Sequence, residues 1–187
     1  MKMVLSILIC TIEERREKLT ALCLELNRQI IECGALCSVE VLAECDNREM
    51  PTGHKRNVLM ERATGEYIAY FDDDDEPERD YVESILRAIE TRPDCVGIEG
   101  MIVFKGNTHA KFIHSIQCDG WYTGRHEFFR TPNHLNPVKR SLALQAKFPD
   151  DLWQAEDKAY SDKLRPLLKT EVYIDHPIYI YWSRTRL

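Results

Sequence analysis

The stretch YIAYFDDDDEPERDY, residues 67–81, runs from apolar and aromatic positions straight into four consecutive aspartates. Neighbouring like charges repel, so a folded chain must give each carboxylate its own partner or its own direction. The apolar half, GEYIAYF at 65–71, reads as a buried strand with the aspartates at its carboxyl end. Ligands of open parallel sheets bind beyond that end of the strands. In an extended or turning backbone alternate side chains share a direction, so Asp72 and Asp74 converge while Asp73 and Asp75 point elsewhere. Two converging carboxylates make a hard-oxygen site suited to Mg²⁺ or Mn²⁺, with positions left for water and phosphate oxygens. The competing reading is a solvated acidic cap on the next helix, where Asp, Glu and Pro77 are locally favoured. An EF-hand loop does not fit, because Pro77 follows where glycine is required.

Outward from this stretch, VLSILIC (4–10) is an apolar run without strict alternation, the pattern of a strand covered on both faces. Residues 15–32 place Leu19, Leu22, Leu26 and Ile30 at helical spacing, and Gly34 can stop that helix. SVEVLAEC (38–45) sets Val39, Val41, Ala43 and Cys45 on one face of a second strand. A helix over 54–63, a helix over 77–91 and a strand over 95–104 complete an alternating β-α series. Such a series favours an α/β fold with a largely parallel sheet covered by helices. Beyond residue 104 the pattern is less regular. KFIHSIQC (111–118) and HEFFR (126–130) read as antiparallel strands around a loop that exposes Trp121 and Tyr122. Residues 153–168 read as a helix ending at Pro166, and 171–182 as one or two strands broken at Pro177.

The chain has 187 residues, 44% of them hydrophobic and 30% charged, which describes a globular protein with room for a substantial core. A net charge of −6 argues against general nucleic-acid binding through phosphate neutralisation. The apolar start is too short to span a bilayer and lacks a signal-cleavage pattern. The seven cysteines form no C-x-x-C pair and read as reduced core thiols, so a cytoplasmic location is expected. Phosphate-loop, dinucleotide, zinc-protease and serine-hydrolase motifs are all missing from the sequence. A metal at a strand-end crevice most naturally grips a diphosphate, and GHKRN (53–57) supplies Lys55 and Arg56 nearby, with Asn57 to position chain or ligand.

VLSILICT, VEVLAECDN, KRN, ATGEYIAYFDDDDEP and AED at 155–157 together resemble a glycosyltransferase of the GT-A fold, family 2, in the family's order over residues 4–160. The resemblance implies a single α/β domain over 1–187. Its Rossmann-like nucleotide-sugar-binding sheet, flanked by helices, fills 1–104, and a smaller mixed acceptor-side portion fills 105–187. It implies a nucleoside-diphosphate-sugar donor, a hydroxyl acceptor (a glycan, lipid-linked glycan or protein), a Mn²⁺ or Mg²⁺ cofactor and inversion at the anomeric carbon. Around the nucleotide it places Thr11, Asp46 with Glu44 as rival, Arg56, Asp72 and Asp73. Asp72 and Asp74 match the D-x-D pair, with Asp74 as the direct metal ligand, and His176 is the candidate for a late histidine completing the metal shell. Asp157 matches the general base, beside Glu156, only one of which is expected to face the crevice. In their glycine-flanked loop Trp121 and Tyr122 are placed either to stack on an acceptor sugar or to pack the smaller layer, and the resemblance places His134 on the acceptor side, with Lys139 or Arg140 facing phosphate. Tyr179 and Tyr181 share a face by alternation and read as core aromatics. The family's usual proline and aromatic around Thr11 are Cys10 and Ile12 here, so an aromatic stack on the base is lost. The rival readings are a metal-dependent nucleotidyltransferase that releases pyrophosphate and a non-catalytic nucleotide-sugar-binding module.

Overall fold

The computed structural model describes residues 2–105 and 107–183. In chain order the elements are β1 (Leu5–Ile12), α1 (Arg16–Glu32), β2 (Val39–Asp46), α2 (Thr52–Arg62), β3 (Tyr67–Asp72) and the two-residue β4 (Glu76–Pro77). Then follow α3 (Tyr81–Ile89), β5 (Cys95–Phe104), β6 (Asn107–His114), β7 (Tyr122–Thr123), β8 (Glu127–Arg130) and β9 (Val138–Lys139). The chain ends with α4 (Arg140–Ala146), α5 (Glu156–Leu164) and β10 (Glu171–Trp182). The fold is a mixed α/β sheet flanked by helices, of GT-A or Rossmann-like architecture.

β1 is central because both of its faces are apolar. Leu5, Ile7 and Ile9 enter one core cluster with Leu22, Leu26 and Ile30 of α1 and Tyr81, Val82 and Ile85 of α3. Leu8 turns to the opposite cluster, with Leu59 and Met60 of α2, Ala143 of α4 and Tyr160 and Leu164 of α5. β3 divides in the same way, Tyr67, Ala69 and Phe71 to the first cluster, Ile68 and Tyr70 to the second. The period-two pleat thus distributes one apolar run between two helical layers. β2, β1 and β3 are parallel and in register, with Cys10 opposite both Glu44 and Asp72. Their carboxyl ends therefore lie side by side. Gly34 closes α1 at φ +65°, with its N–H and that of Ala35 returning to the carbonyls of Ile31 and Ile30.

Several expectations are corrected. The sheet is parallel only in part: β9 lies between β3 and β5 and pairs antiparallel with both, and β5 runs antiparallel to β6 and parallel to β10. β6 and β8 run parallel to each other, with Lys111 opposite Glu127, because β6 already pairs antiparallel with β5. Of the one or two strands expected over 171–182 the structure has one, with its pairing to β5 irregular around Pro177. α5 starts only at Glu156, after Ala155 at φ +61°, so the Trp153 segment is not helical. α4 was not anticipated at all. All seven cysteines are free, but only Cys95 and Cys118 are buried and Cys37 is exposed.

α2 is tied to the segment that carries Trp153. Asn57 Nδ2 donates to the Phe148 carbonyl and to Asp150 Oδ1, each at 2.9 Å, and its Oδ1 accepts the Phe148 N–H at 3.0 Å. Gly53 lies so close that a Cβ there would meet the Pro149 carbonyl oxygen at 1.9 Å. Gly53→Ala is therefore expected to lower the unfolding free energy by about 1–3 kcal/mol in a denaturant titration. An unchanged midpoint would show that the 148–150 segment yields freely.

Candidate functional site

A cleft of about 580 Å³ opens beyond the carboxyl ends of β1 and β3, lined among others by Thr11, Arg15, Lys55, Arg56, Asp72 and Asp74. The four aspartates are accommodated by four separate sets of partners. Asp72 Oδ1 takes an Arg56 guanidinium N–H and its Oδ2 lies against His134 Nε2, both at 3.2 Å. Asp73 is buried, accepting the Thr11 hydroxyl at 2.6 Å and Arg15 Nη1 at 2.6 Å. Asp74 lies 3.3 Å from Arg15 Nη2. Asp75 turns inward, where the Tyr179 hydroxyl donates at 2.7 Å and the Trp182 N–H at 2.9 Å. Simple alternation therefore holds only in part. Asp72 and Asp74 do share the cleft wall, but Asp73 lines the same cleft through Thr11 and Arg15, and only Asp75 leaves it.

The electrostatics follow from these partners. Burial acts to raise the Asp72 carboxyl, but His134 and Arg56 outweigh it and hold the group well below the ordinary carboxylate range. Among the described residues no cation pairs with Asp75, and burial and the Asp72 charge push it up to about 8 despite the two donated hydrogen bonds.

Arg56 is buried on α2, its guanidinium carbon 5.2 Å from the Tyr70 ring centroid and 5.5 Å from that of Phe148. Its Nε stands 3.4 Å from Glu156 Oε1 without hydrogen-bond geometry, and Nη1 has no hydrogen-bond partner among the described residues. The Lys55 ammonium is buried between the Thr11 carbonyl, at 2.8 Å, and Asp46. Asp46 also accepts the backbone N–H groups of Glu49 and Met50, so its carboxylate braces the rim of the cleft. Glu44 pairs with Arg62 instead.

A second cavity of about 500 Å³ adjoins the first and shares Arg56, Asp72, Trp153 and Tyr181 with it. Trp121, Arg130, His134, Glu156 and Asp157 also line it. Both acids of the α5 start thus face the cavity, against the expectation of one. Glu156 is buried against Arg56, whereas Asp157 is half-buried and, among the described residues, accepts only the Lys158 N–H, at 2.7 Å. Trp121 is anchored by its indole N–H to Thr131 Oγ1 at 3.0 Å. Tyr122 lies outside the cavity lining, exposed and stacked on Phe129 at 4.7 Å.

Other candidates stand elsewhere. His176 bonds Asp80 at 2.7 Å beside Ser84, and the structure does not bring it to Asp72 or Asp74. Lys139 pairs with Asp94, and Arg140 donates to the carbonyls of Met60 and Glu61 at the end of α2, so neither faces the cleft. Tyr179 is a core aromatic whose hydroxyl serves the aspartate run, while Tyr181 is exposed at the cleft. Arg15, Trp153 and Arg130 were not identified from sequence. Arg15 follows Thr11 within one turn and was open to inference as a counter-charge; nothing local marks the other two. Among the described residues, no group of three or more His, Cys, Asp or Glu side chains is arranged to hold a metal ion.

The strand-end cleft, with the acidic run along its wall, sits on a sheet of GT-A-like architecture. The family described as Glycosyl transferase family 2 matches residues 47–149, more than half of the chain, and the protein belongs to that family. Membership supports sugar-transfer chemistry in general terms. The chain is 30% identical over 64 residues to the glucosyl-dolichyl phosphate glucuronosyltransferase of Haloferax volcanii, covering 34% of this chain and 20% of that protein. Among solved structures it resembles S. aureus TarS 1–349 in complex with UDP-GlcNAc, with TM-score 0.69 and 18% identity over 99% of this chain and 60% of that one. The catalytic domain of Drosophila beta1,4galactosyltransferase 7, in complex with xylobiose, superposes with TM-score 0.59 and 15% identity over 94% of this chain and 69% of that one. These structural likenesses establish the fold. The chain spans a fifth of the Haloferax protein and about three fifths of the TarS fragment.

The environment of Asp75 sets a pH dependence. Its folded pKa of about 8 lies above the ordinary 3.8, so the folded state binds the proton more tightly. The resulting stabilisation is complete below the ordinary value and is lost as pH rises towards the folded one. Asp75→Asn, measured by denaturant unfolding without divalent cations, is expected to flatten the stability loss across that window. A variant whose stability falls with pH as steeply as the wild type would contradict the assignment.

Proposed function

We propose that this protein transfers a sugar from a nucleoside diphosphate to an acceptor hydroxyl with inversion, as one GT-A domain over 1–187. The nucleotide-sugar-binding half is 1–104 and the acceptor-side half 105–187. The observation that carries this reading is the pair of adjoining cavities, one at the aspartate run and one at Asp157, joined through Arg56 and Asp72. The donor belongs in the first, against Thr11 and Arg56. Arg56 has an unsatisfied Nη1 whose bonding a diphosphate oxygen would complete. Complexes of TarS with UDP and UDP-GlcNAc on the same fold support a nucleoside diphosphate as the ligand class.

The residues present fit a divalent cation in a two-carboxylate arrangement. The Asp72 and Asp74 side chains line one cleft and are 31% and 25% exposed, so hard oxygens are accessible there. They would hold Mn²⁺ or Mg²⁺ together with ligand oxygens and water, and His176 is not part of this set. When bound, the cation would supply positive charge near the departing diphosphate. Arg56 orients the phosphates and offsets the charge that develops on them. Asp157 takes the proton of the acceptor hydroxyl as its oxygen bonds to the anomeric carbon. The sugar–phosphate bond breaks, and its electron pair leaves with the nucleoside diphosphate. His134 and Arg56 fix Asp72 as an acceptor at the cavity junction.

A division of labour follows between the two carboxylates. Asp74→Ala is expected to abolish the Mn²⁺-dependent part of UDP binding in calorimetry. Asp157→Asn should bind UDP normally yet lose roughly 10²–10⁴-fold in transfer. Equal UDP affinity of the wild type with and without Mn²⁺ would remove the cation from this account. Screening nucleotide sugars for the product released separates a transferase, which liberates nucleoside diphosphate, from a nucleotidyltransferase, which liberates pyrophosphate.

A further inference from the structure

The second cavity contains one cation that the transfer chemistry does not use. Arg130, at the end of β8, lines it opposite the start of α5. Its Nη1 donates to the backbone carbonyls of Tyr122 at 2.9 Å and Phe129 at 2.8 Å. Its guanidinium carbon lies 5.0 Å from the Trp121 ring centroid and 5.4 Å from that of Phe128. Two carbonyls and two aromatic faces therefore hold the group in one orientation, which leaves little side-chain entropy to lose on binding.

Arg130 lacks what the other arginines of the cleft possess. Arg15 and Arg56 each reach carboxylates, at 2.6 and 3.2 Å, whereas among the described residues no carboxylate forms an ion pair with Arg130. Burial draws its pKa down and the Asp157 charge opposes this only in part, so the guanidinium is under-compensated. Lys158 stands over the same Trp121 ring at 5.7 Å but is already paired with Asp162. The remaining wall near Arg130 is apolar at Phe112, Phe128 and Leu135 and polar at His114, which pairs with Arg130 across the strands, and at Asn133 and His134, none of which carries a negative charge. A guanidinium that is oriented, partly desolvated and without a counter-ion is built for bidentate recognition of a phosphate or carboxylate.

We propose that Arg130 selects the acceptor: the hydroxyl presented to Asp157 belongs to a polyol or sugar that also carries an anionic group, phosphate or carboxylate, received by this guanidinium. The inference rests on the sugar-transfer reading above and names the acceptor class for that site.

The test uses the full chain, saturated with UDP and Mn²⁺, titrated with glycerol 3-phosphate, glycerate and glycerol while tryptophan fluorescence is followed. Trp121 lies on Arg130 and Trp153 lines the same cavity, so the emission reports a ligand entering it. The wild type is expected to bind one or both anions at least tenfold more tightly than glycerol, and the stronger anion tells phosphate from carboxylate. Arg130→Gln should weaken anion binding by about 10- to 100-fold and leave glycerol unchanged, with Arg130→Lys between the two. Equal wild-type affinity for glycerol and both anions would overturn the proposal, and that arm does not depend on any variant folding. So would anion binding undiminished in Arg130→Gln. UDP binding, recorded first in the same samples, reports on the donor site separately, so its failure is told apart from failure at Arg130.

Discussion

The cleft depends on a short chain of polar contacts built around the buried Arg56: Glu156 against Arg56, Arg56 against the half-buried Asp72, and Asp72 against the His134 ring. Taking a guanidinium out of water costs several kcal/mol, and only opposed charges and good geometry offset it. Arg56 sits between the rings of Tyr70 and Phe148 with Asp72 and Glu156 as its two anions, so each of these groups makes the burial of the others tolerable. Because they come from α2, β3, α5 and the segment before β9, the same charges that shape the site also clamp four parts of the chain together.

That chain lies where the two cavities meet. On one side the ends of β1 and β3 carry Thr11 and the aspartates, and on the other the start of α5 carries Asp157. Trp153 and Tyr181 border both spaces, so a ligand bridging the cavities passes between aromatic surfaces. The left-handed Ala155 ends the irregular segment just before α5 and lets Trp153 and Glu156 face the same region. One buried arginine, Arg56, thus lines both cavities where they adjoin.

Much of the fold was legible because its signals are local. The apolar runs of β1 and β3, the helical spacing of Leu22, Leu26 and Ile30 and the stop at Gly34 each lie within one stretch of chain, where period and backbone preference decide the outcome. The parallel pairing of β6 with β8 was not, because it depends on β5 having already taken the other edge of β6. α4 escaped for a related reason: it follows Pro137 and the brief β9, and tertiary contacts with α2 and α5 rather than a strong apolar period define it.

By itself the sequence determined that an apolar strand ends in carboxylates beside a basic helix start, since charge, period and order along the chain are properties of neighbours. It also carried the acidic pair at 156–157 and the family likeness. Only the tertiary structure decided what each charge meets: Asp75 inside with Tyr179, Asp73 with Thr11 and Arg15, His176 away with Asp80, and Arg130 without a paired carboxylate among the described residues. Electrostatic partners act across a few ångströms of space whatever their separation in sequence, and residues such as Asp75 and Tyr179 become neighbours only once the sheet has formed.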